Sequence, residues 1–193
     1  NYRFYDGKLF TFPGSAHEGG DLGIEVIHVP GGVYRRGGPR DNPLEAAKVV
    51  ERVLHHRHHH PHLSLGVVTF SAAQEDAVVA ELERQSIRHP ELAQLVSDDR
   101  LNGFFVKNLE NVQGDERDVI FISVGYGPTV SGGRVPMRFG PLGTEGGERR
   151  LNVLISRAKQ RCDVFASMTD EDIDPDFAAG RKGVFAFRMF LHY

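Results

Sequence analysis

Val112-Gln113-Gly114-Asp115-Glu116-Arg117-Asp118 runs directly into Val119-Ile120-Phe121-Ile122-Ser123-Val124, a polar turn with one glycine feeding an unbroken apolar stretch. Such a run, bounded by turn residues, reads as a strand buried on both faces, the kind found in parallel sheets. Downstream, Arg149-Arg150-Leu151-Asn152-Val153-Leu154-Ile155-Ser156-Arg157-Ala158-Lys159 reads as a helix with arginines on its polar face. The two segments bring a carboxylate and a guanidinium to one edge of a sheet, an arrangement suited to phosphate chemistry.

Strands and helices alternate outward from this pair. The β-rich run 24–29 is followed by a loop through Gly31, Gly32, Gly37, Gly38 and Pro39. A helix then starts with Asn42 as N-cap, Pro43 in the first turn and Glu45 as capping-box carboxylate, and Leu44, Ala47, Val50 and Leu54 form its apolar stripe. Residues 65–70 form a buried strand, and Ser71 with Gln74 repeats the cap signature before Ala77, Val78, Ala80 and Leu82. Further strands are expected at 104–106, 119–124 and 163–166, with helices over 150–160 and 184–191. The order implies an α/β fold: a mostly parallel sheet with helices on both faces, in three layers.

The 193 residues suit one domain. Against 26 Asp and Glu, 23 Lys and Arg leave a net charge of −3, so nucleic-acid contact would have to be local rather than driven by overall basicity. A single Cys162 excludes an internal disulfide framework. No apolar run of about 18 residues and no signal-peptide pattern occurs, so a cytoplasmic location without membrane contact is expected. The opening Asn1-Tyr2-Arg3-Phe4-Tyr5-Asp6-Gly7 reads as the middle of a longer sequence, and the chain is expected to be a fragment.

In order and spacing, Gly66-Val67-Val68-Thr69-Phe70-Ser71-Ala72-Ala73-Gln74, the Val112–Asp118 run and the Arg149–Lys159 segment resemble motifs IV, V and VI of superfamily 1 DNA/RNA helicases. The resemblance is closest to the branch containing the nonsense-mediated decay helicase and senataxin. Within that branch it points to bacterial helicase-related proteins with counterparts of Phe139-Gly140-Pro141-Leu142 and Glu145-Gly146-Gly147-Glu148-Arg149-Arg150. Phe4-Tyr5-Asp6-Gly7-Lys8-Leu9 and the tail from Asp172 to Leu191 also look like family segments. The resemblance implies that 1–193 is one second, C-terminal RecA-like domain of the P-loop NTPase type. Its partners would be the first RecA-like domain of the same protein and a single strand of DNA or RNA. ATP and Mg2+ would be held mainly by that first domain, and neither a phosphate loop nor an Asp-Glu magnesium pair occurs in this chain.

The resemblance also implies the site residues. Arg157 would be the arginine finger; Gln113, Gly114, Glu116 and Arg150 would contact nucleotide, Glu116 at the ribose; Thr69, Lys107, Asn108 and Ser123 would touch the strand backbone. Motif IV carries Phe70-Ser71 where the family usually has Pro-Tyr. Gln74 is expected to complete its own helix cap. The run His55-His56-Arg57-His58-His59-His60-Pro61-His62 reads as a solvated helix end rather than a metal site, since no acidic or Cys partner stands at fixed spacing. The Gly-rich span 125–147 reads as a long, mobile surface loop or hairpin. A regulatory module without ATP hydrolysis and an independent nucleotide-binding domain stand as alternatives to the motor half.

Overall fold

A computed structural model describes residues 22–97 and 103–192; the Phe4–Leu9 segment lies outside the described residues. The elements follow as β1 (Gly23–His28), α1 (Pro43–His59), β2 (Leu65–Thr69), α2 (Ala72–Ser86), α3 (Pro90–Val96), β3 (Phe105–Asn108) and β4 (Arg117–Ser123). Then come a 3-10 turn at Gly140–Gly143, α4 (Gly147–Ile155), β5 (Ala158–Ala166), a 3-10 turn at Asp170–Asp172, α5 (Pro175–Ala179) and α6 (Lys182–Leu191). The five strands are all parallel, in the order β1-β5-β4-β2-β3.

Alternation along β4 separates the layers. Ile120 and Ile122 join Val68, Cys162 and Val164 in a core closed by Leu151 and Leu154 of α4 and Val184 and Phe187 of α6. Val119 and Phe121 join Val67 and Phe165 beneath Val49 and Val53 of α1 and Val78 and Leu82 of α2. This is the expected three-layer α/β fold. Cys162 is buried within it, and burial pushes its thiol up to about 12, which makes it a packing residue rather than a nucleophile.

Four expectations are corrected. First, the buried stripe of α1 is Glu45, Ala46, Val49, Val50 and Val53; Leu44 is exposed and Ala47 only half-buried. Glu45 turns toward the sheet, and the helix face follows it by one residue. Second, the helix expected over 150–160 stops at Ile155, and β5 already starts at Ala158, which pairs with Arg117. The helix propensity of Ala-Lys-Gln is a weak preference, and a parallel ladder with a buried neighbour overrides it. Third, the span 125–147 is neither a hairpin nor loosely held: Tyr126, Val135, Phe139 and Leu142 are buried in the core, and Phe139 lies against Phe187 at 6.0 Å between ring centroids. Fourth, the histidine run ends a helix as expected, but His56 is buried edge-on to Phe121 and its Nε2 lies 3.1 Å from the Leu63 carbonyl oxygen. Among the described residues no cluster of His, Cys, Asp and Glu is arranged to hold a metal, and no helix is long and apolar enough to cross a membrane.

Candidate functional site

Polar clusters occupy both edges of the sheet. At the amino ends of β4 and β5, the loop after Val112 turns at Gly114, whose φ of +91° is a left-handed conformation that suits glycine. Asp115 and Glu116 follow and lead into Arg117. Arg117 anchors the turn: its guanidinium is buried, donates to the Gly103 carbonyl from Nε (2.9 Å) and Nη2 (2.7 Å), and stacks on the Phe105 ring at 4.7 Å. The Arg117 N–H donates to the carbonyl of Arg157, which lies in the turn between α4 and β5. The predicted carboxylate loop and the predicted finger are therefore neighbours.

The Arg157 guanidinium is half-buried, and among the described residues it bonds only to oxygens without formal charge. Nε donates to the Val153 carbonyl (2.9 Å), Nη1 to the Asp115 carbonyl (3.4 Å) and Nη2 to the Ser156 hydroxyl (3.2 Å). Three nearby cations are matched to carboxylates, Lys107 to Asp115 at 2.7 Å, Lys159 to Glu116 at 3.0 Å and, more loosely, Arg150 to Glu110 at 3.7 Å, whereas the buried Arg117 is held by carbonyls and a ring. Glu116 is 61 % exposed, and an ion pair in that setting is worth well under about 1 kcal/mol. Its carboxylate can exchange Lys159 for another partner at little loss. Gln113 and Gly114 are exposed on the same turn. Arg150 is committed elsewhere: its Nη1 donates to the carbonyls of Pro141 and Glu145 and to the Thr144 hydroxyl, so it braces the 3-10 turn before α4.

The residues expected to meet a nucleic-acid strand stand in one row: Asn108, Thr69 and Ser123 are at the same level on β3, β2 and β4. Their side chains face inward. Thr69 and Ser123 are fully buried, Thr69 donating to the Ser71 carbonyl and Ser123 to Glu45. Asn108 donates to Glu75 at 2.6 Å and caps the turn at Glu110. Lys107 reaches toward Asp115. In this conformation Thr69 and Ser123 support the edge from beneath, because short hydroxyl side chains at the ends of central strands are covered by α1 and α2.

Glu45 is what holds Ser123, and its role was not legible from the capping pattern. Its Oε1 accepts from the Ser123 hydroxyl (2.7 Å) and the Gly125 N–H (2.6 Å), and its Oε2 accepts from the Ser167 hydroxyl (3.0 Å). Only half of the expected capping box forms: Asn42 Oδ1 accepts from the Glu45 N–H, but the Asn42 N–H donates to Gln74 Oε1 at 2.7 Å. The Gln74 amide nitrogen donates in turn to the Asn42 carbonyl (3.2 Å) and the Ser123 hydroxyl (2.9 Å). Gln74 thus bridges two helix starts and a strand end instead of capping its own helix. Gly125, at φ +72°, lies so close to Gln74 that a Cβ would stand 2.9 Å from its Cγ. Burial raises the Glu45 carboxyl to about 7, and its hydrogen bonds restrain the rise.

Fold and clusters together define a three-layer α/β domain with an all-parallel sheet and polar machinery at both edges. The chain belongs to the AAA-domain family, which matches residues 28–169. It is 36% identical over 178 residues to an uncharacterized ATP-dependent helicase of Mycoplasma genitalium and 36% identical over 180 residues to the homologue from Mycoplasma pneumoniae. Each alignment covers 89% of this chain and 15% of the relative, so the chain spans about 15% of the length of the curated relatives it matches. Among solved structures, the C-terminal domain of a possible DNA helicase from Lactobacillus plantarum aligns with a TM-score of 0.43 and 16% identity, covering 82% of this chain and 80% of that one.

Proposed function

We propose that the chain is the second RecA-like half of an ATP-dependent superfamily 1 DNA/RNA helicase or translocase, occupying residues 1–193 of a longer protein. The observation that carries this reading is the placement of Arg157 beside the Gly114–Glu116 turn, with no carboxylate bound to its guanidinium among the described residues. Unlike Arg117, whose guanidinium is buried, that of Arg157 is half-buried, and it is aimed by carbonyl and hydroxyl oxygens beside the exposed turn. In phosphoryl transfer, charge builds on the oxygens of the transferred group, and a planar guanidinium delivered across a domain interface stabilises it. Glu116 would accept from a nucleotide ribose, while Gln113 and Gly114 form the adjoining turn and Arg150 holds α4 in place. The first RecA-like domain would supply the phosphate loop and Mg2+ ligands. Lys107 and Asn108 would meet the strand after releasing Asp115 and Glu75, with Thr69 and Ser123 beneath them.

The test is single-turnover ATP hydrolysis by the full-length protein at saturating single-stranded DNA or RNA, comparing the parent with Arg157→Ala and Arg157→Lys. Loss of chemistry in both variants, with ATP affinity nearly kept, is the expected result. A folded Arg157→Ala protein that hydrolyses within about tenfold of the parent would remove the finger assignment.

A further inference from the structure

α4 and α6 pack on one face of the sheet but leave a groove open at its β1 side. The groove has a volume of about 650 Å3, and its walls include Ile24 of β1, Leu151 and Ile155 of α4, and Phe185 and Met189 of α6. Glu148 and Lys182 add one charge of each sign, which gives no net attraction for a charged occupant. α6 is anchored through Val184 and Phe187, both fully buried, whereas Phe185 on the groove is 46 % exposed. A large apolar side chain left open on an apolar groove marks a surface that something covers. Beside it, β1 ends the sheet: among the described residues it pairs only with β5, so its outer edge is open.

The chain itself supplies a matching occupant. Residues 1–21 lead directly into β1 and lie outside the described residues. Within them, Leu9-Phe10-Thr11-Phe12-Pro13 carries three large apolar side chains and no charge, as the groove requires. Phe10 and Phe12 stand two apart, the spacing that sends both side chains to one side of an extended segment. Gly14, Gly19 and Gly20 separate this stretch from β1, and glycine permits the turns by which a chain reverses. Gly23, where β1 starts, already has a left-handed φ of +107°. Ten positions lie between Phe12 and Leu22, enough chain to span roughly 30 Å, and Ile24 of the groove is two residues beyond Leu22.

We propose that residues 9–13 dock in this groove, with Phe10 and Phe12 seated between α4 and α6 beside the open edge of β1. Tethering favours this occupant over a second copy or a separate partner, because a short connection holds it at an effective concentration on the order of millimolar. Leu151 and Ile155 belong to the helix that leads into Arg157, so the docked segment braces that helix from behind. Only this consequence rests on the motor reading; the docking does not.

The experiment is tryptophan fluorescence. The 193-residue chain contains no tryptophan, so Phe185→Trp places a single indole at the groove. Its emission should be blue-shifted and shielded from acrylamide. Adding Phe10→Ser and Phe12→Ser should shift the emission to the red, raise the quenching constant several-fold and lower the melting temperature by several degrees. A reciprocal probe guards against damage by the indole itself: Phe12→Trp should be shielded alone and quenched freely once Phe185→Asp puts a charge on the wall. An indole at either probe position that is equally shielded, or equally open, in both backgrounds overturns the docking. Shielding that fades on dilution overturns it too, since that would give the groove to a second copy. Neither readout involves ATP, so the Arg157 assignment stands or falls separately, on hydrolysis.

Discussion

At the carboxyl ends of β4 and β5, Glu45 sits fully buried, with each oxygen accepting from a serine hydroxyl, one of them from Gly125 as well, and with Gln74 joining two helix starts beside it. In the turns that lead into the amino ends of the same strands, Glu116 pairs with Lys159 and Asp115 with Lys107 of β3, each side chain a quarter to three-fifths exposed, and among the described residues Arg157 has no charged partner. The first cluster satisfies every buried donor and leaves nothing to exchange. The second is made of contacts that are individually weak in water and easily traded. A sheet can thus hold its loops rigid at one edge and keep exchangeable charge at the other, and substitutions at the two edges should fail in different ways: unfolding on one side, lost chemistry on the other.

The largest expected effect belongs to the amino edge. Arg157→Ala in the full-length protein should lower kcat by about a thousandfold or more, equivalent to roughly 4 kcal/mol, with the melting temperature unchanged. A drop in melting temperature in place of lost turnover would move Arg157 to the structural side of the comparison. Glu45→Ala should do the reverse: it strands Ser123, Ser167 and the Gly125 N–H in the core and should cost about 3 kcal/mol or more in urea unfolding.

The same carboxyl gives a pH signature of similar size. In the unfolded chain Glu45 releases its proton near its ordinary value of 4.5, whereas in the folded protein it holds it to about 7. Between those values the folded state binds more protons, so the contribution of Glu45 is fully present below pH 4.5, falls as pH rises to about 7 and is flat above, an amplitude of about 3 kcal/mol at most. Subtracting the pH profile of Glu45→Gln from that of the parent isolates this slope; a difference curve that rises with pH would show the carboxyl to be depressed instead. Glu116→Ala comes next, and should raise KM by about tenfold while kcat falls less, because the proposed ribose contact would be made in ground and transition states alike. The smallest effect is expected for Lys107→Met, within about 0.5 kcal/mol of the parent in urea unfolding, and a larger loss would mean that the Lys107–Asp115 pair is as structural as Glu45.

Long apolar runs and helix starts were legible because they obey local rules: β4 was readable from its unbroken Val-Ile-Phe-Ile stretch, and α1 from Asn42 and Pro43. The Gly114–Glu116 turn and Arg157 were legible as motifs, and the structure sets them side by side. What escaped were decisions taken between distant segments. Glu45 and Asn42 look like a capping box because the spacing is right, yet Ser123 and Ser167 compete for the same carboxylate and win by burying it. Ala158-Lys159-Gln160 look helical until Arg117 offers a strand partner.

The bonds around Glu45 join residues far apart along the chain: 32 positions separate Asn42 from Gln74, 78 separate Glu45 from Ser123, 122 separate Glu45 from Ser167 and 125 separate Asn42 from Ser167. No fragment of the chain can close this circuit before β4 and β5 lie side by side beneath α1, so it should belong to the last step of folding and the first of unfolding. Its loss would leave the refolding rate nearly untouched and shorten the lifetime of the native state. The buried carboxylate is in that sense a latch, which governs how long the assembled domain persists more than how quickly it is made.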